Sequence, residues 1–212
     1  MMQLHGSTNT KSFNTLKIRF ALAEIGARYD FVPVDLAKGE SRKPDFLRIN
    51  PHGKVPVLVD DGFALPESDA ILWYLGEKFP DAKLLPRLDG GADALQARAQ
   101  ILRFLDIAST SIYPAYSEWW TASNSDDPAK RNPALADAAL AKVTRALGVL
   151  EKTLASGEHL VGAFSLADVS CASIIFSLKR RLQTDPLAGH ERVRAWYDRV
   201  TARPAWASAS AD

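Results

Sequence analysis

The chain of 212 residues contains a single cysteine, Cys171. One thiol excludes an intramolecular disulfide and any Cys-x-x-Cys redox pair, and it fits a reducing compartment. Cys171 lies in the apolar run Val169 to Phe176, where a small buried thiol is expected rather than a nucleophile. Histidine is also scarce: four scattered copies show no metal-ligand spacing, so no metal site is expected. An excess of one charge is missing too, since 26 basic residues against 25 acidic ones leave a formal net charge of +1. That balance gives no electrostatic case for nucleic acid or an anionic membrane surface, and the mixed charges read as a solvated exterior. No apolar run approaches the roughly eighteen residues a membrane span needs, and the opening MMQLHGSTNTKS is too polar for a signal peptide. The expected location is the cytoplasm. Repeats and low-complexity segments are absent apart from the Ala/Ser end at Trp206 to Asp212, which is expected to fray.

What the chain does have is 47% hydrophobic residues, enough to build a core in one large domain or two modest ones. The densest local instruction is Asn50 to Asp69. Val55 to Val59 reads as a short buried strand entered through Pro56, Asp61-Gly62 as a hairpin turn, and Phe63 to Leu65 as the start of the return strand. Glu67-Ser68-Asp69 then opens an amphipathic helix that runs to Lys78, with Ile71, Leu72 and Leu75 inward and a stop before Pro80. A proline heading a strand has no amide to give, and a cis bond before it turns the Val55 N–H and C=O outward, where an extended ligand can pair with them. The plainer alternative is that Pro56 sits where no ladder bond is needed. A helix start offers unpaired N–H groups and partial positive charge, so the backbone and hydroxyl of Ser68 suit a carboxylate while Glu67 suits an amine. Alternatively, Ser68 or Asp69 only caps the helix. A strand edge beside a clamp for an α-amino acid points to a peptide-like ligand.

In chain order, Met2 to His5 is a minimal strand and Gly6 to Lys11 a polar loop. Phe13 to Ile25 has helical spacing with Gly26 as its stop, and Tyr29 to Val34 alternates as a second strand. This βαβ unit predicts parallel strands, and the ββα unit after it completes a four-stranded mixed sheet with helices on its faces. Lys38 to Asn50 between them reads as loop or irregular helix. Pro80, Pro86, Gly90 and Gly91 mark a boundary, giving domains over 1–80 and 93–212 with a linker over 81–92. The second domain reads as all helix: Ala94 to Ser109, the aromatic-rich Ile112 to Trp120, a loop at Ser123 to Pro133 marked by Asp126-Asp127-Pro128, and Leu135 to Ser156. Ser165-x-x-Asp168 has the form of a capping box, with Phe164 stapling onto Val169, and losing either polar residue is expected to cost about 1 kcal/mol. The tail from Val193 carries Trp196, Val200 and Trp206.

The run Asn50-Pro51-x-Gly53-x-Val55-Pro56-Val57-Leu58, followed by Glu67-Ser68-x-Ala70-Ile71, resembles the first half of the cytosolic glutathione S-transferase superfamily. The capping box and tail are similar to that family's second half. The likeness is to a serine-type, bacterial-like member. It implies an α/β thioredoxin-like N-terminal domain followed by an all-α C-terminal domain, a two-fold homodimer, and glutathione as co-substrate with no cofactor. It also implies that Val55, before Pro56, pairs with the cysteinyl backbone of glutathione, and that Glu67 and Ser68 hold its γ-glutamyl end.

A free glutathione thiol ionises at roughly 8.5, so a hydroxyl donated to the sulfur at a helix N-terminus would raise the share of nucleophilic thiolate. The loop before the first helix offers Ser7, Thr8, Thr10, Ser12 and Thr15. Ser12 is the candidate, because Ser12-Phe13-Asn14-Thr15-Leu16-Lys17-Ile18-Arg19 resembles the family's active-site stretch; as an ordinary N-cap it would occupy the same place. The loop from His5 to Ser12 reads about two residues longer than in many relatives. No tyrosine precedes Tyr29 and no cysteine is present there, which argues against the tyrosine- and cysteine-dependent branches. Asn14 either orients Ser12 or caps the helix. His52 and Lys54 either pair with the glycine carboxylate of glutathione or are merely solvated. Tyr113, Tyr116 and Trp120 share a helical face that is a core, a dimer seam, or, by resemblance, the wall of a pocket for an apolar electrophilic small molecule. The main expectation is a transferase acting on such an electrophile, and the alternative is a non-catalytic binding or interaction module on the same fold.

Overall fold

A computed structural model describes residues 1–9, 12–124 and 127–211. Thr10, Lys11, Asp126 and Asp212, which figure in the readings above, lie outside them. The first half folds as β1 (Met2–Ser7), α1 (Phe13–Ile25), β2 (Tyr29–Val34), α2 (Pro44–Ile49), β3 (Val57–Asp60), β4 (Phe63–Pro66) and α3 (Ser68–Lys78). The strands lie in the order β2-β1-β3-β4, with β1 parallel to β2 and antiparallel to β3, which is antiparallel to β4. This is the thioredoxin-like arrangement. The hairpin turns at Asp61 and Gly62, both at positive φ as a two-residue turn between twisted strands requires.

Two strand boundaries differ from expectation. β1 continues through Gly6 and Ser7, which pair with Pro33 and Val34, so the extra loop length read from the sequence is largely strand. Gly6 permits this because a Cβ there would sit 2.6 Å from both the Phe31 ring and Thr15 Cγ2. β3 starts at Val57 rather than Val55, because Pro56 supplies no amide to a ladder.

α1 packs against α3, α7 and α9 as well as under the sheet, and it is buried on nearly every side, Lys17 included. The second half contains α4 (Gly91–Asp106), α5 (Tyr113–Asn124), α6 (Pro133–Thr153), α7 (Leu166–Arg181), α8 (Glu191–Thr201) and α9 (Pro204–Ser210). The aromatic-rich segment forms α5, which follows on α4 without a loop. A π-helical turn, Ile107–Ile112, joins α4 to α5. Pro114 explains the widening, since its ring would press on the Thr110 carbonyl of a regular α-turn and it has no N–H to return. The capping box of α7 forms as expected.

The C-terminal end does not fray within the described residues. Trp206 stands edge-on to Phe20 of α1 at 5.0 Å between ring centres, and Arg19 donates to the Ala211 carbonyl at 3.2 Å. Arg203 grips Glu24 through two bonds of 2.6 and 2.8 Å, so the end of the chain is clamped to the first helix. Among the described residues, no helix is long and apolar enough to cross a membrane.

Candidate active site

A cleft of about 470 Å³ opens where the first turn of α1, the Asn50–Pro56 loop, the start of α3 and the π-turn meet. Two helix N-termini converge on it, those of α1 and α3, and their unpaired N–H groups favour negative charge there. Ser68 ties them together by donating its hydroxyl to Asn14 Oδ1 at 2.9 Å.

Ser12 stands at the N-cap position of α1, where its carbonyl accepts from Leu16 N, yet its side chain caps nothing. Among the described residues the hydroxyl makes one long contact, 3.4 Å to Thr15 Oγ1, which leaves it available to a ligand. Of the other described hydroxyls in that region, Ser7 accepts from Asn9 N and Thr15 accepts from Ser7 N. Neither they nor Thr8 line the cleft; Ser12 does.

The Asn50–Pro56 loop is built around a buried asparagine. Asn50 donates to the Lys54 carbonyl at 2.7 Å, accepts from His52 N at 3.0 Å, and its carbonyl accepts from Gly53 N. This fold presents Lys54, Val55 and Pro56 to the cleft and leaves the His52 side chain outside its lining. Lys54 is exposed and pairs with no carboxylate among the described residues. The Val55–Pro56 bond is cis, and the Val55 N–H and C=O meet no partner among the described residues.

Glu67 and Ser68 line the same cleft. Neither Ser68 nor Asp69 is the cap of α3: the N-cap is Glu67, at φ 68°, a left-handed conformation that a non-glycine residue adopts at a cost. Of the aromatic face, Tyr113 lines the cleft, tilted against Phe13 at 5.0 Å between ring centres. Tyr116 is buried behind it. Trp120 lies farther along, against the Arg181 guanidinium, and neither of these two reaches the lining.

Residues 2–77 match the N-terminal domain of glutathione S-transferase, and residues 125–204 match its C-terminal domain. The chain belongs to the glutathione S-transferase family. Glutathione S-transferase F10 of Arabidopsis thaliana is 34% identical over 195 residues, covering 90% of this transferase and 88% of that protein. Among solved structures, glutathione transferase F7 from Populus trichocarpa superposes with a TM-score of 0.85 at 26% identity, over 99% of this chain and 98% of that one. A glutathione S-transferase-I bound with lactoylglutathione superposes with a TM-score of 0.82 at 27% identity, over 99% and 98% of the two chains.

Sequence reasoning missed two charged residues of this transferase. Asp69 lines the cleft and pairs with Lys17 Nζ at 2.5 Å, while the Lys17 side chain is wholly buried beneath it. Burial pulls the Lys17 ammonium below the usual lysine range, and Asp69 opposes that pull. The available signal was a lysine between Leu16 and Ile18 on a helix with no polar face. Phe13, Leu36 and Ser109 also line the cleft.

Proposed function

We propose that this transferase binds reduced glutathione along the cleft and ionises its thiol beside Ser12 for attack on an apolar electrophilic small molecule. The observation that carries the proposal is the Val55 backbone, without a partner among the described residues, in a cleft that Lys54 and the α3 N-terminus also line. An extended tripeptide laid there pairs its cysteinyl N–H and C=O with Val55. Its glycine carboxylate then meets Lys54 and its γ-glutamyl group meets Glu67 and Ser68. His52 steadies the loop through the backbone bond to Asn50.

In this reading the sulfur arrives at the N-terminus of α1. Ser12 donates its hydroxyl to the sulfur, the thiol proton leaves to solvent, and the thiolate attacks the electrophilic carbon as the leaving group departs with its electron pair. Phe13, Leu36 and Tyr113 form the apolar wall for the second substrate, with Tyr116 and Trp120 backing Tyr113. The binding domain spans 1–80, the linker 81–92 and the helical domain 93–212. The assembly is a cytoplasmic, two-fold homodimer of the serine type.

The test is to saturate the protein with glutathione and follow the ultraviolet absorbance of the thiolate with pH, for the wild type and Ser12→Ala. The expected result is a bound thiol that ionises well below about 8.5, a shift lost in Ser12→Ala together with about a hundredfold in kcat/KM. An unshifted wild-type thiol would favour a binding module over an enzyme.

A further inference from the structure

We infer that Asp69, oriented by the buried Lys17, is a second acidic recognition group for the α-ammonium of the γ-glutamyl end, acting with Glu67. The inference rests on the glutathione reading above and deepens it.

Glu67 and Asp69 flank Ser68 and both line the cleft. The Asp69 side chain is 25% exposed, whereas that of Lys17 is 0% exposed. Lys17 Nζ holds Asp69 Oδ1 at 2.5 Å, and Asp69 Oδ2 meets no partner among the described residues. One carboxylate oxygen is therefore pinned from below while the other is left for the cleft.

Burying a lysine is costly, and an apolar side chain of similar volume would serve packing between α1 and α3 as well or better. An ion pair with one member opening into a ligand cleft is explained by what it does to charge. Glu67 and Asp69 alone would place two negative charges beside a ligand group that carries a carboxylate as well as an ammonium. Lys17 cancels one of them while keeping Asp69 ionised and fixed. The remaining single negative charge matches one ammonium, and the ligand carboxylate takes the N–H groups opening α3. Lys54, which also lines the cleft, supplies a charge of the opposite sign for the glycine carboxylate. Lys17 is a positioning residue in this scheme, and Asp69 touches the ligand.

The experiment compares glutathione with its desamino analogue, in which hydrogen replaces the γ-glutamyl α-amino group, on the wild type, Asp69→Asn and Lys17→Arg. Binding is read calorimetrically and turnover with a common chlorinated aromatic substrate. The expected result for Asp69→Asn is about a tenfold weaker Kd for glutathione, an unchanged Kd for the analogue, and a rise in KM with kcat nearly preserved. Lys17→Arg, which keeps the charge, retains the preference for glutathione. Equal weakening of both ligands, or no weakening of either, overturns the inference while leaving glutathione binding intact. Failure of the wild type to bind glutathione overturns the function proposed above and this inference with it.

Discussion

The Ser68 hydroxyl donates to Asn14 Oδ1 at 2.9 Å, a bond between residues far apart in sequence that locks the start of α3 to the first turn of α1. With its oxygen so engaged, Asn14 keeps its amide donors for the cleft it lines, where Nδ2 meets no partner among the described residues. Asn14→Asp preserves the acceptor for Ser68 and replaces the donors with a charged oxygen. The expected outcome is a higher pKa for bound glutathione thiol and about a tenfold loss in kcat/KM at neutral pH that recovers at higher pH, with little change in stability. A pH profile of kcat/KM that keeps its wild-type shape would show that Asn14 does not face the sulfur.

Gly53 supports the cleft through backbone geometry alone. Its φ is 62°, and a Cβ would lie 2.9 Å from both the Ser41 carbonyl and Arg42 Nη1. Gly53→Ala is therefore expected to cost about 1–3 kcal/mol in urea denaturation. It should also raise KM for glutathione, because Lys54 and Val55 follow directly on the displaced residue. Unchanged stability together with unchanged KM would mean that the loop absorbs a side chain without moving.

Legibility in the sequence followed the range of the forces involved. The bounds of α3 were readable because an acid-serine start and Pro80 are local signals, and so was the box opening α7, whose partners stand three residues apart. Lys17 was not, because its partner Asp69 lies 52 positions away and a lysine on a helix ordinarily reads as solvated. The docked C-terminal end was hidden for the same reason: Trp206 and Arg203 find Phe20 and Glu24 across the whole fold, where composition alone suggested fraying. The aromatic face was legible as a group but not in its separate fates, since helical periodicity placed Tyr113, Tyr116 and Trp120 together without showing that of the three only Tyr113 reaches the cleft.

Asp168 does more than close a capping box. Its buried carboxylate accepts from Ser165 N at 2.9 Å, Leu160 N at 3.2 Å and Trp196 Nε1 at 2.7 Å, joining α7 to the preceding loop and to α8. Asp168→Ala leaves all three donors without this acceptor and is expected to cost about 3–5 kcal/mol, against about 1 kcal/mol for Ser165→Ala. Urea unfolding followed by tryptophan fluorescence measures both. Equal small losses would reduce Asp168 to a helix cap.

Asp60 sets an acid limit on the first domain. It is buried at the end of β3, where Lys78 and, at 2.6 Å, the Tyr74 hydroxyl donate to Oδ2. The Lys78 bond, then the Tyr74 bond, holds the carboxyl below its ordinary range, while the same contact raises the Lys78 ammonium. A carboxyl depressed in the folded state adds stability above its unfolded pKa of about 3.9, and that stability drains away as pH falls through the lower folded value. The raised Lys78 gives the mirror image: its contribution is complete below about 10.4 and is lost as pH climbs past the folded value. Asp60→Asn should therefore be less stable than the wild type at neutral pH, with the gap narrowing as pH drops below about 4. Chemical denaturation of both proteins across that range decides the matter, because a gap that stays constant into acid would mean that the Asp60 charge contributes nothing to the pairing of β3 with α3.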